Sequence, residues 1–182
     1  GTISVNVAGG VAVHTLTTEA YIASGADINA TNTGAGGSQG VYVDAGRSYN
    51  VVSVGAGVAI SGTGSGAVGA SVPVLLGGTK AWIGNNSGFD TDSHTGDAFA
   101  TVVNAMGDVD VRATAQESFI TVAAGIAGSG VVGIAGSASV LVMNTTTLAA
   151  ISGNVKVDAG GNVVVWSQDD TKSWAIAGAV GI

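Results

Sequence analysis

The block Thr18-Glu19-Ala20-Tyr21-Ile22 returns as Thr79-Lys80-Ala81-Trp82-Ile83 and again as Thr147-Leu148-Ala149-Ala150-Ile151, each copy following a Val-x-Val pair at one fixed distance. Those pairs are Val11/Val13, Val72/Val74 and Val140/Val142. Self-similarity at a long fixed period constrains the fold more than any single residue does, because a unit of this kind buries its apolar face only by stacking on its neighbours. Further pairs occur at Val41/Val43, Val109/Val111 and Val163/Val165, and eleven residues after each an Ala/Gly-rich apolar stretch opens at Val54, Val122 or Ile176. Val54 to Val72 and Val122 to Val140 are both eighteen positions. Only the interval from the Thr-x-Ala-x-Ile block to the next Val-x-Val changes: Ile22 to Val41 is nineteen, Ile83 to Val109 twenty-six and Ile151 to Val163 twelve. Loops of variable length are therefore expected on one face of a stack whose strands keep register. The repeats fall at about 3–70, 71–138 and a partial 139–182, within a single segment 1–182 that reads as an excerpt of a longer array.

Composition narrows the class. Charged residues make up 9% of the chain against roughly a quarter in ordinary domains, beside 31 glycines and 46% hydrophobic residues. Five Lys and Arg with a net charge of −7 cannot build a phosphate-tracking patch, so nucleic acid is excluded as a partner. The absence of cysteine removes disulfide and thiolate chemistry, a usage compatible with a secreted bacterial protein.

Two uncharged runs, Val51 to Leu76 and Phe119 to Met143, are long enough for membrane helices. Their glycines, one proline and alternation of small with β-branched residues favour strands instead, and membrane association is not expected. Taken as strands, the Val-x-Val valines and the openers Val54 and Val122 are expected to be buried in ladders inside the stack. The repeats of sixty-one (Ile22 to Ile83) and sixty-eight (Ile83 to Ile151) residues divide most naturally into three turns of roughly twenty each, within the range of known periods for such stacks, with two wider turns the alternative.

Candidate chemistry is sparse. Gly64-x-Gly66-x-x-Gly69 has the dinucleotide-binding spacing but does not open a helix, so cofactors are expected to be none. The loop with Asp90, Asp92, His94 and Asp97 alternates oxygen ligands as a calcium loop does, yet lacks the EF-hand glycine and glutamate; it reads as a polar surface loop, and no metal site is assigned. His94 has no defined partner, no catalytic residue is assigned, and no enzyme activity is expected. Tyr21, Trp82 and Ala150 share one repeat position, where aromatic packing between neighbouring strands is the first reading and a sugar-stacking strip the second. Asn29-Ala30-Thr31, Asn85-Asn86-Ser87 and Asn144-Thr145-Thr146 match the glycosylation triplet, a pattern common by chance in such a chain.

The series Val-x-Val, Thr-x-Ala-Tyr/Trp-Ile, Gly107-Asp108-Val109-Asp110-Val111 or Gly161-Asn162-Val163-Val164-Val165, then Val54-Gly55-Ala56-Gly57-Val58-Ala59 resembles the repeats of large bacterial exoproteins of the filamentous-haemagglutinin type and autotransporter-like adhesins, including the leukotoxin-like giant proteins of anaerobes. The resemblance covers nearly the whole chain. It implies an all-β fold, a right-handed parallel β-helix or β-solenoid, exported through the outer membrane and displayed at the cell surface or released. The expected function is a non-catalytic structural or adhesive shaft whose partners are a host or bacterial surface receptor or glycan, with end-to-end self-association. A membrane-active toxin segment is the alternative, and a carbohydrate-active β-helix enzyme a more distant one.

Overall fold

The computed structural model describes residues 2–85 and 101–182, and among these every regular element is a strand. In chain order they are β1 (Ile3–Ala23), β2 (Asp27–Ile28), β3 (Val41–Ser61), β4 (Gly64–Gly84), β5 (Thr101–Ala105), β6 (Val109–Ser129), β7 (Val132–Ser139), β8 (Val142–Ile151), β9 (Val155–Ala159) and β10 (Val163–Gly181). All pairing is parallel and forms three sheets: β1-β4-β7 with β8 also on β4, β3-β6-β10, and the small β2-β5-β9. They are called here the first, second and small sheets.

Each residue pairs with its own repeat equivalent. Val11 lies beside Val72, Ile22 beside Ile83 and Ile83 beside Ile151, while Val109 sits between Val41 and Val163. One repeat therefore passes once through all three sheets, which overturns the expected three turns of about twenty residues. Strands of 21 residues, far longer than the usual five or six, make a twenty-residue interval one side of a tier. Framed at the tight turns after β3 and β6, the tiers are β1–β3, β4–β6 and β7–β10. The variable intervals hold the small sheet and its connections, as the changing spacing predicts.

The space between the two large sheets is a wedge. At its narrow end β3 turns back on β4 and β6 on β7, and the facing limbs meet backbone to backbone. A Cβ on Gly55 would stand 1.7 Å from the Ala70 carbonyl oxygen, one on Gly69 1.9 Å from that of Ala124, and one on Gly125 2.2 Å from that of Gly136. Only glycine fits there. Between these glycines and the turns lie small residues, Ala59, Ala67 and Ala127, and on the side away from the turns come paired hydroxyls: Ser53 with Ser71 at 2.7 Å, and Ser139 with Thr121 at 2.5 Å. Both hydroxyl pairs join residues eighteen apart, so the constant eighteen-residue spacing measures the two limbs of this arch. Toward the wide end the gap admits Leu75 and Phe119, and finally Ile83, Val103, Val109 and Val111, all fully buried where the small sheet closes the third side.

This geometry divides the valines. Val43, Val109 and Val111 are buried at the wide end as expected, with Val41 half-buried on the same inward-facing row. Val163 and Val165 follow that row in the third tier, 49% and 45% exposed because no further strand covers them. Val11 and Val13, by contrast, are 72% and 60% exposed on the outer face of the first sheet. Val140 and Val142 are also exposed there, and Val72 and Val74 lie half-buried on the same outward row. Val54 is 63% exposed and Val122 half-buried on the outer face of the second sheet. The alternate residues Ala12, Pro73 and Leu75 take the inward places. The expected burial of Val11, Val13, Val54, Val72, Val74, Val122, Val140 and Val142 is thus corrected: the gap is occupied by glycine, alanine and hydroxyls at its narrow end, and the opposite parity fills it.

Val111→Asp should lower the unfolding free energy by several kcal/mol, because it places an unpaired carboxylate in a fully buried site. Val11→Asp, outward and solvated, should change it by about half a kcal/mol or less. Chemical denaturation of the two variants checks the assignment; equal losses would contradict it.

Candidate functional site

Counting alternate residues from the buried Val43 and Ala45 brings Arg47 inward, and counting from Val111, Ala113 and Ala115 brings Glu117 inward. The two meet in the middle of the wedge. An Arg47 Nη2–Glu117 Oε1 hydrogen-bonded ion pair joins side chains only 5% and 0% exposed. Arg47 Nη1 also donates to the Leu16 carbonyl at 3.3 Å. On the other side Thr171 Oγ1 lies 3.1 Å from Glu117 Oε2 and 2.9 Å from Asp169 Oδ1, its single proton serving one carboxylate at a time. Asp169 Oδ2 accepts from Thr147 Oγ1 at 2.7 Å.

A polar line therefore runs through all three tiers, from the first large sheet to the second and back. Sequence reasoning passed over it, although strand parity in a chain with only five Lys and Arg was a usable signal. Glu117 is committed to Arg47 and Thr171 and is closed to solvent. As built, the constellation cross-links tiers, with Asp169 its solvent-exposed acid.

Beside this line His14, Tyr49 and Phe119 form a ladder of rings, with centroids 5.5 Å and 6.2 Å apart. Tyr49 and Phe119 thus sit in mid-strand, in β3 and β6. Desolvation by burial pushes the Tyr49 phenol above its ordinary value.

The other sequence candidates separate. Tyr21 and Trp82 stack at 4.6 Å with an 8° interplanar angle, and Trp82 is 3% exposed. Trp82 presents no free face to a sugar, in agreement with packing between neighbouring strands. Gly64, Gly66 and Gly69 lie within β4, where Gly69 serves sheet approach and no phosphate cradle forms. The Asn29 amide donates to the Asn104 carbonyl at 2.8 Å, with Asn29 in the left-handed region at φ 55°, so it caps a corner of the small sheet. Asp108 accepts from the Asn162 amide at 2.7 Å, and Asp110 pairs with Arg112. Asp90, Asp92, His94 and Asp97, with Asn86 and Ser87, lie outside the described residues. Among the described residues no three His, Asp or Glu side chains converge as metal ligands would.

Comparison with protein-family models, curated proteins and solved structures found no match. What the site can do is read from its geometry alone.

Arg47→Ala should cost about 3–5 kcal/mol, since it strands a buried carboxylate. The double change Arg47→Met with Glu117→Leu should recover most of that loss, and a double-mutant cycle by urea denaturation measures the coupling. Tyr49 supplies a pH test. With the folded-state value raised, the unfolded chain ionises first, so stability present below about pH 10 is lost as the pH rises through the folded value. Tyr49→Phe should remove this alkaline limb from a plot of melting temperature against pH.

Proposed function

We propose that the chain is a segment of a right-handed parallel β-solenoid serving as a non-catalytic shaft in a secreted or surface-displayed bacterial exoprotein, of the type its repeats resemble. The observation that carries this reading is the residue-for-residue parallel pairing of each repeat with the next, with length changes confined to the stretches around the small sheet. Such an arrangement converts sequence repeats directly into height. Side loops then present contacts to a receptor or glycan without disturbing the stack. The sealed Arg47–Glu117 pair supports a structural role for the interior charges.

The outer edges of β1, β2 and β3 on one side, and of β7 to β10 on the other, have no strand partner among the described residues. Open edges of parallel strands invite addition of another tier. Because the two ends differ, copies adding this way form open filaments and not closed dimers.

A tandem of ten copies in one chain tests the shaft reading. Thirty tiers at about 4.8 Å each predict a continuous rod about 140 Å high, measurable by electron microscopy. Ten separate beads on a string would contradict it, and release of new reducing ends from polysaccharides by the purified chain would contradict its non-catalytic part.

A further inference from the structure

Outside the narrow half of the wedge, both large sheets turn apolar side chains to solvent. Val5, Val11, Val13 and Ile134 stand 60–74% exposed on the first sheet. Val54, Ile60, Ile176 and Val180 stand 53–76% exposed on the second. No Asp, Glu, Lys or Arg occurs from residue 48 to 79, from 118 to 155 or after Lys172. Inside the same region lie glycines, alanines and the Ser53–Ser71 and Ser139–Thr121 hydroxyl pairs. This polarity is inverted relative to a sheet with one solvated face, which turns its hydroxyls outward and its branched chains inward.

We propose that this charge-free blade docks into the acyl region of a phospholipid bilayer, with the charged wide end left in water. Three features select lipid as the occupant. Both faces are apolar, and lipid covers both at once, whereas a protein partner on one face leaves the other bare. The blade's length also fits: from Val52 to the turn after Ser61 is about ten residues, or roughly 30 Å, comparable with the ~30 Å hydrocarbon thickness. Area argues against a second copy. One face is three strands wide, roughly 400 Å², about half the ~800 Å² that each partner gives to a standard stable interface.

The boundary has the expected chemistry. Trp174, 54% exposed on the row of Val52 and Ile120, is followed toward the wide end by the row of Asn50, Ser118 and Lys172, an aromatic-then-cationic order suited to a headgroup layer. No helix among the described residues is long and apolar enough to cross a membrane; the docking element is a sheet pair. Open strand edges are costly in hydrocarbon, so copies must stack edge to edge as they enter, and binding should rise steeply with protein concentration. The proposal adds a surface to the shaft and does not depend on that reading.

Flotation of the intact chain with phosphatidylcholine vesicles, with and without phosphatidylglycerol, tests it. The chain should float with the zwitterionic vesicles, less well with the anionic ones given its charge of −7, and acyl-brominated lipid should quench a fluorescence component lost in Trp174→Phe. Val11→Asp combined with Val54→Asp, both exposed positions, should cut the bound fraction at least tenfold with an unchanged far-UV circular dichroism spectrum. Thr17→Asp, at the polar end of the same outer face, should leave binding unchanged. Failure to float at any lipid concentration would overturn the proposal. So would binding without acyl quenching, or a lipid-free dimer, seen by sedimentation, that the same double substitution abolishes.

Discussion

The close approach of the two large sheets at the arch is the constraint on which the rest of the structure depends. Where Gly55, Gly69 and Gly125 face carbonyl oxygens, the sheets are far nearer than the ~10 Å usual for packed faces, and no side chain fits between them. The excluded valines have one alternative, the outer faces. Thin interior and apolar exterior are thus two consequences of one glycine pattern, and so is the fixed eighteen-residue spacing across each arch. The sheets must then diverge before Ile83, Val109 and Val111 can be buried, and the third side this opens is the one the small sheet closes.

A stack of near-identical tiers filled by small side chains is poorly protected against slipping by a residue or by a tier. The Arg47–Glu117 pair answers that weakness because it is not repeated. Ala115 and Asp169 stand at the positions equivalent to Arg47, and Tyr49 and Thr171 at those equivalent to Glu117. A shifted tier would leave one of two buried charges alone, and the penalty for an unpaired buried charge exceeds the gain from making the pair. The pair therefore discriminates between registers more effectively than it stabilises the correct one.

Much of this was legible in the sequence, and the rest was hidden for a definable reason. Register was legible, since the equivalences Val11 to Val72 and Ile83 to Ile151 are observed strand pairs. So was the confinement of length change to one stretch per repeat. The inward face was not, because the stretches of β1 before Glu19 and of β4 before Lys80 carry no Asp, Glu, Lys or Arg at either parity, and branched side chains were assigned to the interior by default. The decisive clue was the size of the facing residues, which becomes visible only once β3 is known to fold back on β4. The same ignorance of strand length split one tier into three turns. Arg47 and Glu117 escaped for a simpler cause: charges in a strand are read as outward unless parity is counted from a buried valine.

Length variation is tolerated only at the wide end for a mechanical reason. An added residue in either limb of an arch would shift Gly55 or Gly69 away from the one carbonyl it can approach and drive a Cβ into backbone. At the wide end the connections carry strands of only two to five residues, β2, β5 and β9, whose pairing survives insertion before or after them. The two ends of the wedge are thereby separated in chemistry as well as in tolerance. Sequence change accumulates beside the small sheet, where polar loops meet solvent, while the arch stays invariant in length, uncharged and apolar outside. A long array of such tiers would carry one variable polar edge and one constant apolar edge, so that the chemistry presented along each edge is set by packing inside the array.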